Sequence, residues 1–194
     1  SGSGAMEDYE LSGNRPWKDY RDSIQTVVIG DQITQIGQNA FSWSACSTIQ
    51  FGKSVRSIGA KAFSGCRNLN GDLTIPDSVQ TIGDSAFETC TGLTGTLTLG
   101  NGLQTIGFNA FYSCPFSGNL VIPDSVTTIG IQAFCCWPYY LPETQGTLTL
   151  GKNLRTIGAF AFCESRYTGS LTIPDSVVEI GERAFRDGKN LNGT

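Results

Sequence analysis

The chain has 194 residues, of which 15% are charged, with a formal net charge of −4 and no histidine. This length suffices for one domain or a compact repeat array, and the charge offers no basic surface for nucleic acid or anionic lipid. Because histidine is the usual general base and the commonest metal ligand, we expect a non-enzymatic protein without catalytic residues, metal or cofactor. It contains neither an apolar run of about 20 residues nor a signal-peptide pattern, so we expect no membrane insertion by this segment.

Residues 1–24 precede the repetitive part of the chain, and we assign them to an N-terminal capping segment. Residues 1–6 are small and flexible, and we interpret them as an expression leader outside the fold. Solenoids need their open ends covered. We therefore expect residues 7–24 to cover the first repeat with their apolar side chains, which are Tyr9, Leu11, Trp17 and Tyr20.

The phrase I-G-x-x-A-F recurs seven times between residue 25 and the end of the chain, with its phenylalanines spaced by 22, 24, 24, 23, 28 and 23 residues. Self-similarity at such a period predicts a solenoid, in which each unit buries its apolar face against its neighbours. Residues 190–194 stop where another strand would begin, so we expect a longer parent chain. The phenylalanines, which should form one internal spine, are Phe41, Phe63, Phe87, Phe111, Phe134, Phe162 and Phe185.

Each unit begins with a pattern typical of a short strand. In residues 72–75 the apolar Leu73 and Ile75 alternate with polar residues, and Pro76 then ends the strand because it has no amide hydrogen to donate. The second half of the unit, through Ile82 and Phe87, fits a turn or second short strand that leads into a short helix. The sequence leaves helical and extended interpretations of that half open.

The pattern L-x-I-P-x-x-V-x-x-I-G-x-x-A-F-x-x-C-x-x-L, as it stands in residues 73–93, resembles the leucine-rich repeats of BspA-like bacterial surface proteins. The resemblance covers residues 25–194. It implies an α/β leucine-rich-repeat solenoid with a parallel sheet on one face, β-rich with short helical turns. It also implies an extracellular, cell-surface location and adhesion or other binding of a protein, for example one on a host or neighbouring cell.

Equivalent residues of successive units form columns, and one column after the first strand alternates aspartate with lysine or asparagine. Alternation separates like charges that would otherwise lie about 5 Å apart, so we interpret the column as a stacking device rather than a calcium ladder. Two outward columns of the first strand are mostly threonine and other small polar residues. They fit either a plain solvated face or a flat binding surface. The alternating column is Asp31, Lys53, Asp77, Asn101, Asp124, Lys152 and Asp175.

Seven cysteines also fall into columns, and most are expected to be small buried side chains. Stacking makes Cys135 a neighbour of Cys163 and places Cys136 near Cys114, so either pair has the spacing for a disulfide. We favour free thiols, and the odd number leaves at least one unpaired. Without a C-x-x-C pair or histidine, zinc is disfavoured.

The longest spacing, 28 residues, holds an insertion with several aromatic residues between the fifth and sixth units. Apolar residues of neighbouring units add to a cluster on one side, including Ile131 and Phe160. The cluster has two interpretations: a local core formed by the folded-back loop, or a site that binds a protein. The candidate binding residues are Trp137, Tyr139, Tyr140, Leu141, Phe108, Tyr112, Phe116 and Tyr167.

The functional hypothesis is thus a non-enzymatic, surface-exposed repeat module that binds a protein. The alternative is a structural spacer or stalk that presents another domain and has no ligand of its own.

Overall fold

The computed structural model describes residues 4–10, 15–136, 146–188 and 191–193, which form a β-solenoid of short parallel strands. The described residues contain no α-helix, only a 3₁₀ turn at Lys18–Tyr20. The strands are β1 Gly4–Ala5, β2 Thr26–Val28, β3 Ile33–Ile36, β4 Thr48–Gln50, β5 Ser57–Ile58, β6 Leu73–Thr74, β7 Thr81–Ile82, β8 Leu97–Thr98, β9 Thr105–Ile106, β10 Leu120–Val121, β11 Thr128–Ile129, β12 Leu148–Thr149, β13 Thr156–Ile157, β14 Gly169–Leu171, β15 Glu179–Ile180 and β16 Leu191–Gly193.

The leucine-rich-repeat solenoid is confirmed, but the α/β label and the short helical turns are not. The segment after the glycine of the I-G-x-x-A-F motif is a run of overlapping turns, as the third unit shows. The N–H of Ala86 bonds within the turn to Gly83 at 3.2 Å, whereas the N–H of Phe87 bonds to Ala110 of the next unit at 2.8 Å. A helix would use all of these amides internally. Here alternate amides join the units instead.

Left-handed residues reinforce this departure from a helix. The residue before the alanine of the motif has a positive φ in all seven units, for example 56° at Ser85, and a second such residue follows two places after most spine phenylalanines. L-residues rarely adopt this conformation, and it interrupts right-handed helical geometry. The sequence carries little sign of it, because most of these positions hold residues other than glycine.

The second strand of each unit, odd-numbered from β3 to β15, belongs to one continuous eight-stranded parallel sheet with β1 at its edge. Neighbouring strands pair in register, with Thr81 beside Thr105 and Ile82 beside Ile106. One isoleucine per strand is buried along most of the sheet, from Ile36 to Ile157. In the described part of residues 1–6, Gly4 pairs with Ile33 of β3.

The first strands, even-numbered from β2 to β16, form separate two-stranded ladders rather than one sheet, and an isolated parallel bridge joins Thr147 to Thr168 between two of these ladders. An odd unit pairs with the even unit that follows it, as β6 does with β8. Glycine in the even units makes this approach possible: a Cβ on Gly100 would lie 2.4 Å from the carbonyl oxygen of Pro76, and one on Gly151 would lie 2.3 Å from that of Pro123. The alternation of proline and glycine units in the sequence therefore corresponds to a two-unit structural period.

The predicted spine is present and extends into the N-terminal segment. The seven phenylalanine rings stack between neighbouring units with centroids 5.2 to 5.4 Å apart. Trp17 stacks on Phe41 at 5.1 Å, and Tyr9 meets Trp17 edge-on at 5.7 Å. Arg15 is buried beside them and donates to the carbonyl oxygens of Asn39 and Ser42 at 2.8 and 2.9 Å. Tyr9, Arg15 and Trp17 thus pack against the first unit, whereas Tyr20, also expected there, is 67% exposed, and Leu11 lies outside the described residues.

Candidate functional site

The insertion after the fifth unit is anchored at both ends. The predicted residues Trp137, Tyr139, Tyr140 and Leu141 lie outside the described residues. The chain before them ends at the buried Cys136. The chain after them resumes at Gly146, whose N–H donates to the carbonyl oxygen of Gly118 at 2.9 Å. The insertion therefore connects the turn segment of one unit to the first strand of the next.

Two of the predicted site residues, Phe116 and Tyr167, are core residues, only 5% and 4% exposed. Phe116 meets the spine ring of Phe111 edge-on at 5.9 Å, and burial raises the pKa of Tyr167. Counted back from the next strand, both occupy the column of the buried Leu69 and Leu93. Counting forward from the spine phenylalanine hides this equivalence, because the unit lengths differ.

Phe108 and Ile131 form an exposed apolar pair in adjacent units. They directly follow the glycine of the motif and are 42% and 47% exposed. Their backbones are held in place: the N–H of Phe108 donates to a carboxylate oxygen of Asp84 at 2.8 Å, and the carbonyl oxygen of Ile131 accepts from Asn109 at 2.9 Å. A rigid backbone thus presents two exposed apolar side chains at the start of the turn segment, whereas the insertion leaves from its end.

Phe160 and Tyr112, two further aromatic residues of the turn segment, are half-buried. Phe160 has a φ of 56°, an outlier for a bulky residue. The guanidinium of Arg183 lies over its ring at 5.7 Å. We define the turn-face patch as Phe108, Tyr112, Ile131 and Phe160.

Another exposed aromatic residue, Trp43, was missed by sequence reasoning. It is 48% exposed, has a φ of 58° and lies beneath Arg67, whose guanidinium is 5.6 Å from the ring. A Cβ on Gly65 would come within 2.6 Å of the indole, so the ring lies flat against that glycine. The sequence does contain a sign of it: two residues after the spine phenylalanine, the other units carry small or polar residues, apart from Cys136 in the fifth unit.

The cysteine thiols are buried and belong to the packing between units. Cys66, Cys90 and Cys114 each donate to the carbonyl oxygen of the preceding unit's spine phenylalanine, at 3.0 to 3.1 Å. The sulfur atoms of Cys135 and Cys163 lie 3.2 Å apart as free thiols. Burial raises the pKa of both, which opposes thiolate formation at neutral pH.

Aspartates of the alternating charged column accept hydrogen bonds from backbone N–H groups of the next unit. One carboxylate oxygen of Asp124 accepts from the N–H of Lys152 at 2.9 Å, and the other lies 2.7 Å from its ammonium nitrogen. These contacts lower the pKa of Asp124, with the side-chain hydrogen bond from Lys152 as the largest cause. Asp31 and Asp77 likewise accept from the backbone of the next unit. Over the described part of the chain, no three potential metal-ligating side chains are gathered in one place.

The repeat geometry matches a known family. The model of the "BspA type Leucine rich repeat region" matches residues 19–138 and 70–192, with six copies. The chain belongs to this family. The BspA-type assignment covers all seven spine phenylalanines, and it indicates a repeat module and no catalytic family.

Solved structures share the fold of this BspA-type chain. A leucine-rich repeat protein of T. pallidum is 24% identical, with a TM-score of 0.78 over 98% of this chain and 84% of that one. One from Bacteroides ovatus is 23% identical, with a TM-score of 0.59 over 91% of this chain and 49% of that one. A leucine-rich cell surface protein of Faecalibacterium prausnitzii is 24% identical, with a TM-score of 0.55 over 98% of this chain and 64% of that one.

No curated protein matches the chain. Among the residues that the structure describes, no helix is long and apolar enough to cross a membrane.

Proposed function

We propose that this BspA-type segment is a non-enzymatic, extracellular module that binds a protein on a host or neighbouring cell. The observation that carries the proposal is the exposed pair of Phe108 and Ile131 on a rigid turn face, within a repeat family that has a cell-surface protein among its structural neighbours. Exposed aromatic and apolar side chains on a fixed backbone are typical of interfaces, because little conformational entropy is lost on binding.

The insertion is proposed to extend this surface. Trp137, Tyr139, Tyr140 and Leu141 supply the residue types enriched in binding hot spots, and the insertion leaves the same turn segment that begins with Ile131. Phe116 and Tyr167 are not part of the proposed surface, since both are buried.

Binding of the labelled segment to intact host or bacterial cells tests the proposal. We expect saturable binding that disappears when the cells are treated with protease. A variant in which residues 137–142 are replaced by glycine and serine, and the double variant Phe108→Ser, Ile131→Ser, should each bind at least tenfold more weakly. Val121→Ser changes an apolar residue on the first-strand side that is at least as exposed, and it serves as the matched control. Absence of saturable binding to any cell would favour the spacer.

A further inference from the structure

A cleft separates the second unit from the third on the first-strand side. No Cα atom of β4 lies within 8 Å of a Cα atom of β6, whereas β8 approaches β10, and β12 approaches β14, to within that distance. The cleft encloses about 390 Å³ and is lined by Ile49, Phe51, Leu69, Leu73 and Leu93, together with polar residues at its rim. We propose that an extended peptide segment of a partner protein binds here as an added β-strand.

The backbone groups on both walls of the cleft favour such a peptide. On one wall, Ile29 donates to the carbonyl oxygen of Gln50 at 2.8 Å, so Gln50 uses its backbone toward β2. Because successive residues of a strand point their backbone groups to opposite sides, the N–H and C=O of Ile49 face the cleft. On the other wall, Leu73 and Ile75 donate to the fourth unit at 2.9 and 2.8 Å, so the groups of Thr74 also face the cleft.

The two walls of the cleft lie farther apart than paired strands do. Two strands that flank a third are about 9.6 Å apart, twice the usual spacing of about 4.8 Å, and the measured separation of β4 from β6 exceeds 8 Å. Two facing edges with unused donors and acceptors are the arrangement by which sheets accept an additional strand. A hydrogen bond from the N–H of Asn70 to Ser47, 3.4 Å long, closes one end of the cleft. The docked strand is therefore short.

Side chains on the cleft floor define the peptide further. Leu69, Leu73 and Leu93 are buried core residues, and Phe51 is half-buried beside them. Alternate residues of the bound strand point toward this floor and must be apolar, while those between them lie beside the exposed Thr48 and Thr74 and are small or polar. The chain's own even-unit strand, residues 95–101, has this pattern in the sequence GTLTLGN.

The test uses a synthetic GTLTLGN peptide and the whole segment. Hydrogen exchange followed by NMR should show the amides of Ile49 and Thr74 protected more than tenfold at saturating peptide. A peptide N-methylated at both internal threonines should bind at least tenfold more weakly, because it cannot complete the ladder. The proposal is overturned if no peptide binds at millimolar concentration, or if binding leaves the exchange of both amides unchanged.

A pair of proline variants sharpens the assignment. Thr74→Pro removes an N–H that faces the cleft without removing one that pairs β6 with β8, and peptide affinity should fall at least tenfold. Val121→Pro makes the equivalent change on β10, away from the cleft, and should leave affinity unchanged. Equal loss in both variants would contradict the proposed location. The peptide site and the proposed cell-binding surface have in common only that the partner is a protein. Each is tested with its own probe and its own variants, so one can be refuted while the other stands.

Discussion

Stacking along the phenylalanine spine gives a quantitative prediction for Phe87→Leu. Phe87 is fully buried, and its ring lies 5.3 Å from that of Phe63 and 5.4 Å from that of Phe111, with interplanar angles of 7° and 4°. Leucine keeps most of the apolar area but removes both ring pairs. Each aromatic pair contributes about 0.5–1.5 kcal/mol beyond burial, so we expect a loss of about 1–3 kcal/mol in the free energy of unfolding.

Phe185→Leu is the matched control, because among the described residues Phe185 stacks on Phe162 alone, at 5.4 Å, and it is half-buried. We expect Phe185→Leu to lower the free energy of unfolding by about half as much, roughly 0.5–1.5 kcal/mol, because one ring pair is lost instead of two. Urea unfolding followed by circular dichroism measures both, and an unchanged dependence on urea would show that the variants differ in stability alone.

A double-mutant cycle separates stacking from burial. Phe63 and Phe87 are in contact and should show a coupling energy of about 0.5–1.5 kcal/mol, whereas Phe63 and Phe111, two units apart, should be additive within about 0.5 kcal/mol. Equal costs for the central and terminal variants, or additivity in the adjacent pair, would refute the idea that ring contacts between neighbours stabilise the spine.

Three further predictions concern the contacts between units. Gly100→Ala should lower the free energy of unfolding by about 1–3 kcal/mol, because the added Cβ would overlap the carbonyl of Pro76 in the preceding unit. Gly30→Ala is the control in the same column and should change stability little, because a Cβ there would meet nothing within 4 Å. Thermal unfolding compares the two variants. Because folding lowers the pKa of Asp124, its carboxylate stabilises the fold above the unfolded-state pKa of about 3.9, and this stabilisation is lost as the pH falls through the folded-state pKa. Asp124→Asn should therefore make Tm depend less steeply on pH in the acid range. At alkaline pH, which increases the thiolate fraction of these buried groups, oxidised glutathione should convert the Cys135 and Cys163 thiols, 3.2 Å apart, to one disulfide and two reduced glutathiones. The intact mass should fall by two hydrogens and Tm should rise by about 5–10 °C; Cys163→Ser should abolish both effects.

The repeat period, the first strand and the spine could be predicted from the sequence because they depend on side-chain chemistry that repeats. Leu73 and Ile75 alternate with polar residues, and Phe87 recurs at a regular spacing. The turn segment could not be predicted in the same way. Its conformation depends on a left-handed residue such as Ser85 and on amides that bond to the next unit, and neither leaves a local periodicity. A helix was therefore expected where turns are found.

The candidate site could be predicted less well from the sequence. Phe116 and Tyr167 differ from leucine in size and chemistry, so they were assigned to a surface although they occupy the leucine column of the core. Phe108 and Ile131 were assigned to an apolar cluster on one side of the solenoid, and both are exposed in the structure. The cleft between β4 and β6 had no counterpart in the sequence, because backbone separation between units depends on pairing that side-chain patterns do not encode.

The two-unit period leads to a final prediction about deletions. Removing residues 72–95 joins the second unit to the fourth and places two glycine-type units side by side. The fourth unit then loses the carboxylates of Asp72 and Asp77, which accept from the N–H groups of Thr96 and Asn101 at 2.7 Å each. Removing residues 72–118 joins the second unit to the fifth and keeps every odd unit next to its even partner.

In a solenoid whose stability is a sum of unit and neighbour contributions, a longer array is normally more stable. Here we expect the opposite order: the five-unit variant should have a Tm at least as high as the six-unit variant, because only the latter contains a mismatched junction. Thermal unfolding of both, with the seven-unit chain as reference, measures the difference. A Tm that simply increases with the number of units would show that alternation of proline and glycine units does not govern stacking.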